Sequence, residues 1–300
     1  MYISTAVDLS RLPVPDIVEQ VSYERNLAEL TADFKSRCIA RGVAFDALVE
    51  SDPAMILLQV YAYRVTLLRQ DFNDRLKSVL LAYATGTMLD HLGALMGVTR
   101  LQLDAGDPSR GIAPTFENDG DFRRRIVLAP ESYSVAGPEG AYLFHTLSAD
   151  PRVLDASIDS PRPGEVVVSV LSRTGDGIAP PDLLAAVNAA LSAENVRPLD
   201  DEVSVIPATL VPYQIRATIY CLDGPDAAVV RAESRRRLDA YVESVHMLGR
   251  DVTLSGLYAA LHSEGVQRVE LHEPKANIVI ARAQASRCTG IELLDGGIGE

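Results

Sequence analysis

Residues 51–100 read SDPAMILLQVYAYRVTLLRQDFNDRLKSVLLAYATGTMLDHLGALMGVTR, and this stretch decides how the chain is organised. Asp52 is placed to cap a helix whose first turn opens at Pro53, a position where a missing N–H costs nothing. Met55, Ile56, Leu57, Leu58, Val60, Tyr61, Val65, Leu67 and Leu68 follow, and at about 100° per residue they cover most of the circumference rather than one stripe. A helix apolar nearly all round needs neighbours on several sides. After two polar interruptions, Leu76, Val79, Leu80 and Tyr83 resume the pattern, so the spacing predicts a helix of roughly 30 residues, about 45 Å long. Gly86 reads as its stop and Thr87 as a new cap, with Met88, Leu89, Leu92, Leu95 and Met96 forming a second helix as far as Gly97. Leu57, Leu58, Tyr61, Val65, Leu68 and Phe72 on this helical hairpin are the candidate partner-binding residues. The aromatic side chains among them suit a core or a subunit interface equally.

Upstream, Leu27, Leu30, Phe34 and Cys38 fall at spacings of three and four, with Gly42 closing the turn, which predicts an amphipathic helix behind an N-terminal arm. Downstream, a segment rich in Asp, Gly and Pro from Asp104 to Asp121 reads as a domain break. Past it, short runs rich in Val and Ile alternate with helices. Glu139 to Ala149 predicts a helix, Val153 to Ile158 and Glu165 to Leu171 two strands joined by Pro161-Arg162-Pro163-Gly164, Pro181 onward a helix, and Val203 to Ile206 a strand. A similar set follows: a strand over Tyr213 to Leu222, a helix from Pro225-Asp226 to about His246, and a short helix over Leu254 to Leu261. It ends in two strands, Val266 to Leu271 and Ile278 to Ala283, joined by a hairpin over 273–277. The expected fold is α+β: an all-helical region over 1–103, two small α/β sandwich modules with mixed sheets over 121–208 and 209–287, and a glycine-rich flexible tail over 288–300.

Composition narrows the function. With 28 basic against 41 acidic side chains and a formal charge of −13, general attraction to a phosphate backbone is opposed, so no nucleic-acid partner is expected. The runs Arg123-Arg124-Arg125 and Arg235-Arg236-Arg237 are short and flanked by acids. Both read as solvated helix faces with local ion pairs or as a charged interface with an acidic neighbour, and Arg235, Arg236 and Arg237 are further partner-binding candidates. Gln59 and Arg64 interrupt the long helix before it reaches the roughly 20 apolar residues of a membrane span. Cys38, Cys221 and Cys288 are widely separated and odd in number, which fits a reduced, cytosolic history. The five histidines form no metal-ligand pair, although His246 and His262 could approach in space. Arg173-Thr174-Gly175-Asp176-Gly177 lacks the lysine of a nucleotide loop and the oxygen ligands of a calcium loop. Asp200-Asp201-Glu202 stands at the mouth of a strand, where solvated charge is ordinary. No catalytic residue, cofactor site or metal site is expected.

Several of these segments, taken in order, resemble one family. They are the Pro-started helix, Ala84-Thr85-Gly86-Thr87-Met88-Leu89-Asp90-His91-Leu92-Gly93 with Gly97-Val98, Phe122-Arg123-Arg124-Arg125-Ile126, Ala136-Gly137-Pro138-Glu139-Gly140-Ala141-Tyr142, the Pro163-Gly164 turn, and Asn195-Val196-Arg197-Pro198-Leu199-Asp200-Asp201. The order resembles the baseplate J family, the wedge proteins of contractile phage tails and related injection machines. The chain departs from the family at Asp200, where a polar residue is usual, and Asp201 matches the family aspartate. The resemblance implies a non-enzymatic structural protein located in the virion tail baseplate and made in the bacterial host cytoplasm. It implies contacts with a second copy of itself, with a tail protein I-like subunit and with a lysozyme-like-fold wedge subunit of the sheath-initiating type, around a central hub. A baseplate-associated cell-wall hydrolase and a cytoplasmic assembly or ligand-binding module are the rival readings.

Overall fold

The computed structural model describes residues 15–43, 51–134, 137–194, 196–224 and 226–299, together with Leu9, Leu12, Pro13 and Val49. The expected arm over 1–15 lies largely outside the described residues, as does Pro225. The chain divides into two compact units that part between Thr99 and Arg100.

The helical unit, Asp8–Thr99, is built on α1 (Tyr23–Ala40), α2 (Pro53–Ser78) and α3 (Gly86–Leu95). Ser22 caps α1 by accepting from the Arg25 N–H, and Asp52 caps α2 by accepting from the Ala54 N–H at 2.7 Å. The long helix is shorter than its apolar pattern suggests: it has 26 residues, about 39 Å at the standard rise. Past Val79 the backbone tightens into turns, with Leu80 N–H donating to Lys77 O and Ala84 N–H to Leu80 O. Gly86 begins α3 rather than ending α2, and Thr85, not Thr87, is its N-cap. No helix among the described residues is long and apolar enough to cross a membrane.

The second unit opens with a two-stranded antiparallel ladder of β1 (Gln102–Asp104) and β2 (Thr115–Phe116), so the segment read as a break is ordered structure. Arg100 fixes its start: the guanidinium donates to Glu117 O and to Asp119 Oδ1, each at 2.8 Å, and lies 4.7 Å from the Phe122 ring centroid. There follow α4 (Asp119–Leu128), a 3-10 turn (Ala129–Tyr133), α5 (Glu139–Ala149), β3 (Val153–Asp159), β4 (Glu165–Ser172), α6 (Pro181–Leu191) and β5 (Glu202–Pro207). The sheet runs β3-β4-β5, antiparallel then parallel. Val166, Val168 and Val170 of β4 meet Tyr142, Leu143 and Leu147 of α5 and Leu183, Val187 and Leu191 of α6 in one buried core.

The last module comprises β6 (Thr209–Cys221), α7 (Ala227–Val245), α8 (Leu254–Leu261), β7 (Val266–Glu273) and β8 (Gln284–Ile298), with sheet order β7-β6-β8. Alternate residues Tyr213, Ile215, Ala217 and Ile219 of β6 pack with Leu238, Val245, Leu257 and Leu261. Both sheets are mixed and the fold is α+β, as read from the sequence. Only Ala208 separates β5 from β6. Its N–H donates to Val170 O at 2.9 Å, and with Leu171, Leu248 and Ala285 it forms a small buried cluster joining the modules.

Two expectations fail at the C-terminus. Ile278 makes an isolated bridge to Val252, not a strand paired with β7, and Ile280 N–H is held by Asp251 Oδ1. The third strand is instead the segment read as a flexible tail: β8 lies parallel to β6 from Thr209↔Gln284 to Cys221↔Ile298. Of the glycines there, Gly296 is a close-approach position, whereas Gly290 and Gly297 face open space. A Cβ at Gly296 would stand 2.6 Å from the Tyr220 ring, and Gly290 follows the register shift at Tyr213/Gln214.

Candidate functional site

The long helix carries three kinds of face. Ala62 and Asn73 are buried; Leu58 and Val65 are half-buried. Polar side chains bridge α2 to α1 and to the segment before it, beside half-buried Leu27, Leu30 and Phe34 of α1. Asn26 Nδ2 donates to Thr66 Oγ1 at 2.9 Å, while Asn73 accepts from Glu19 N–H and donates back to Glu19 O at 2.8 Å.

The remaining circumference is open and carries two apolar stripes among exposed Arg64, Gln70, Asp71 and Asp74. Leu57, Tyr61, Leu68 and Phe72, spaced four, seven and four, form one exposed stripe, with Leu57 69% and Leu68 68% exposed. Ile56, Val60, Tyr63 and Leu67 form a second, rotated by roughly 100° from the first. Leu68 and Phe72 floor a shallow depression of about 370 Å³ rimmed by Glu19, Arg69, Asp71 and Arg75. Of the six apolar candidates, then, Leu57, Tyr61, Leu68 and Phe72 share one surface, whereas Leu58 and Val65 lie off it.

The two arginine runs separate. The first is not a solvated face. Arg125 is buried, its guanidinium donating to both carboxylate oxygens of buried Glu117 and to Ser148, and Arg124 pairs with buried Asp155 at 2.6 Å. Both serve the interior because α4 packs its Phe122–Ile126 side inward. In the second run, Arg235 pairs with Asp239 and Arg236 with Glu233 on the exposed side of α7. Arg237 departs from them: it donates to Ala259 O and His262 O at the end of α8, where orphan carbonyls and the helix dipole favour a cation.

Asp201, His246 and Asp176, singled out in the sequence, have structural partners. Asp201 Oδ2 accepts the Tyr142 hydroxyl at 2.7 Å; burial first, then this carboxylate, pushes the Tyr142 pKa up. His246 Nδ1 donates to Ser286 O at 2.5 Å, and His262 sits at the α8 end, each in its own contacts. The Arg173–Gly177 segment is a turn whose Asp176 meets Arg287. A groove of about 930 Å³ is lined by Asp121, Arg173, Asp176, Glu243, His246 and Arg250 among others; Arg173 is paired with Asp121. Among the described residues no three His, Cys, Asp or Glu side chains could hold a metal ion, and the cysteines are free.

Sequence reasoning missed Asp155 and Glu117. The available signal was an acid flanked by Leu154 and Ala156 in an apolar strand, which is stable there only if it is paired.

Models of three baseplate J-like domains match the chain in order, the N-terminal domain over residues 50–107, the central domain over 134–207 and the C-terminal domain over 213–294. They place it among baseplate proteins. "Baseplate protein J" of Escherichia phage P2 is 46% identical over 300 residues, covering 98% of this chain and 99% of that protein. The chain belongs to the baseplate J-like family. A cryo-EM structure of the anti-feeding prophage baseplate is more distant, with a TM-score of 0.41 and 13% identity over 59% of this chain and 43% of that one.

Proposed function

We propose that this chain is a structural, non-enzymatic wedge subunit of the baseplate of a contractile phage tail or tail-like injection particle. Its helical unit joins other wedge proteins, a tail protein I-like subunit and a lysozyme-like-fold subunit of the sheath-initiating type. Its two sheet modules contact second copies and link wedges into a ring around the hub. The observation that carries the reading is α2: one side meets α1 through Asn26 and Thr66 and the segment before α1 through Asn73, and two exposed apolar stripes remain. A helix with this pattern has room for two further apolar helices.

The test is co-expression with adjacent wedge proteins, followed by affinity capture of wild type, Leu57→Asp and Leu68→Asp. Both positions are exposed in the free chain, so melting should change little. In a complex the same carboxylates would be buried without a partner, at a cost of several kcal/mol, and capture should fail. Wild-type capture by both variants would sink the reading.

A further inference from the structure

We infer that the helical unit is held together by assembly rather than by its own packing, so that α1 and α2 open in the free chain while both sheet modules stay folded. Among the described residues of Asp8–Thr99 the buried apolar side chains are Ala62, Ala84, Leu89 and Val98. In α1 the one buried residue is Asn26; in α2 they are Ala62 and Asn73. No large apolar side chain of either helix is fully removed from water, although hydrophobic burial is the main term that offsets chain entropy. The sheet modules are the reverse, with Leu183, Leu191, Ile215, Ile219, Leu238 and Leu257 fully buried.

The apolar residues of α1 and α2 that turn inward, Leu27, Leu30, Phe34, Leu58 and Val65, are only half-buried, and a polar pair bridges the two helices. Asn26 bonds Thr66 across the helix pair, and Asn73 bonds the backbone of Glu19 in the segment before α1, but water offers the same groups equivalent bonds in the open form, so their net contribution is small. In proteins most helical stability comes from tertiary packing of an apolar face rather than from propensity. The apolar side chains able to stabilise α2, Leu57, Tyr61, Leu68 and Phe72 with Ile56, Val60, Tyr63 and Leu67, do so only once covered. Ordering and docking are therefore one step, and subunits that meet outside the correct assembly gain little from transient contact. The opening of the free chain follows from its own packing; the ordering on docking rests on the proposed role of α2.

Hydrogen exchange read by mass spectrometry on the full chain tests both parts, first at concentrations where sedimentation shows a monomer and then in assembled particles. Backbone amides of Ile56–Lys77 should exchange at least about tenfold faster than those of β4 and β6 in the monomer, and should become protected in particles. Equal protection of α2, β4 and β6 in the monomer would overturn the inference while leaving the wedge role standing. Fast α2 exchange in both states would overturn the coupling, and with it the reading of α2 as a covered surface.

Discussion

Asp155 of the first sheet module accepts the main-chain N–H of Leu248 in the second at 2.9 Å, across 93 residues of sequence, and both groups are buried. Its other carboxylate oxygen takes the Arg124 guanidinium and the Ala156 N–H. One side chain thus ties α4, β3 and the segment after α7 together. Replacing it with Ala strands the Leu248 N–H and takes a buried carboxylate from Arg124. The expected loss is about 3 kcal/mol, at the lower edge for a broken buried pair because Arg124 keeps some contact with water. Asp155→Asn retains an acceptor and should lose about half as much. Urea unfolding followed by circular dichroism measures both; a loss below about 1 kcal/mol for the Ala variant would show that the junction is held elsewhere.

The exposed and capping arginines of α7 should part company. Arg235→Glu/Arg236→Glu removes two solvent-exposed pairs and should leave the melting temperature close to wild type. Arg237→Ala uncaps α8 and should cost about 1 kcal/mol by itself. Particle assembly of the double variant, compared at low and high salt, tests a charged contact: impairment that added salt relieves supports it, and normal assembly in both conditions leaves these two arginines as a solvated face.

A third prediction concerns β8. Gly296→Val places a Cβ 2.6 Å from the Tyr220 ring and should cost about 1–3 kcal/mol. Gly290→Ala meets nothing within 4 Å and should melt close to wild type. A chain ending at Arg287 removes most of β8 from the sheet and should lose the cooperative transition of the last module. If that truncated chain melts like the full one, the segment is an appendage after all.

His145 supplies a pH dependence. Burial lowers its pKa below the ordinary value of 6.5, against a smaller opposing hydrogen bond with the Ser132 backbone. The fold therefore prefers the neutral ring. As pH falls from about 6.5 toward the lowered folded value, the unfolded chain binds more protons and stability drops. The stabilisation is complete above that window. Urea midpoints at pH 7.5 and 5.5 should differ more for wild type than for His145→Gln; an equal difference would remove His145 as the cause.

The order of elements was legible in the sequence wherever local chemistry and tertiary demand agreed. Pro53 behind Asp52, the helix over 139–149 and the valine run of β4 each satisfy propensity, capping and burial at once. The failures have a common physical origin. Arg125 and Asp155 look like surface residues because their partners, Glu117 and Leu248 N–H, become neighbours only in the folded chain. Gly290, Gly296 and Gly297 are uninformative locally, since glycine serves flexibility and close approach equally. For the candidate surface, spacing alone revealed that α2 is apolar all round. That Leu58 and Val65 lie off the stripe formed by Leu57, Tyr61, Leu68 and Phe72 depends on where α1 sits, which periodicity does not encode.

The single residue between β5 and β6 gives the second unit something like a reading frame. Strand side chains alternate with a period of two, and β5 is in register with β4 up to Val170↔Pro207, while β6 is in register with β8 from Thr209↔Gln284. One residue inserted or lost at Ala208 would leave one sheet in phase and rotate the other, turning Tyr213, Ile215, Ala217 and Ile219 toward water and their polar neighbours inward. Two insertions restore alternation but separate Leu171 and Ala208 from Leu248 and Ala285 by the length of a strand step. The two cores therefore accept change by substitution within each, and a graft of either module from a relative must carry its neighbour's phase with it.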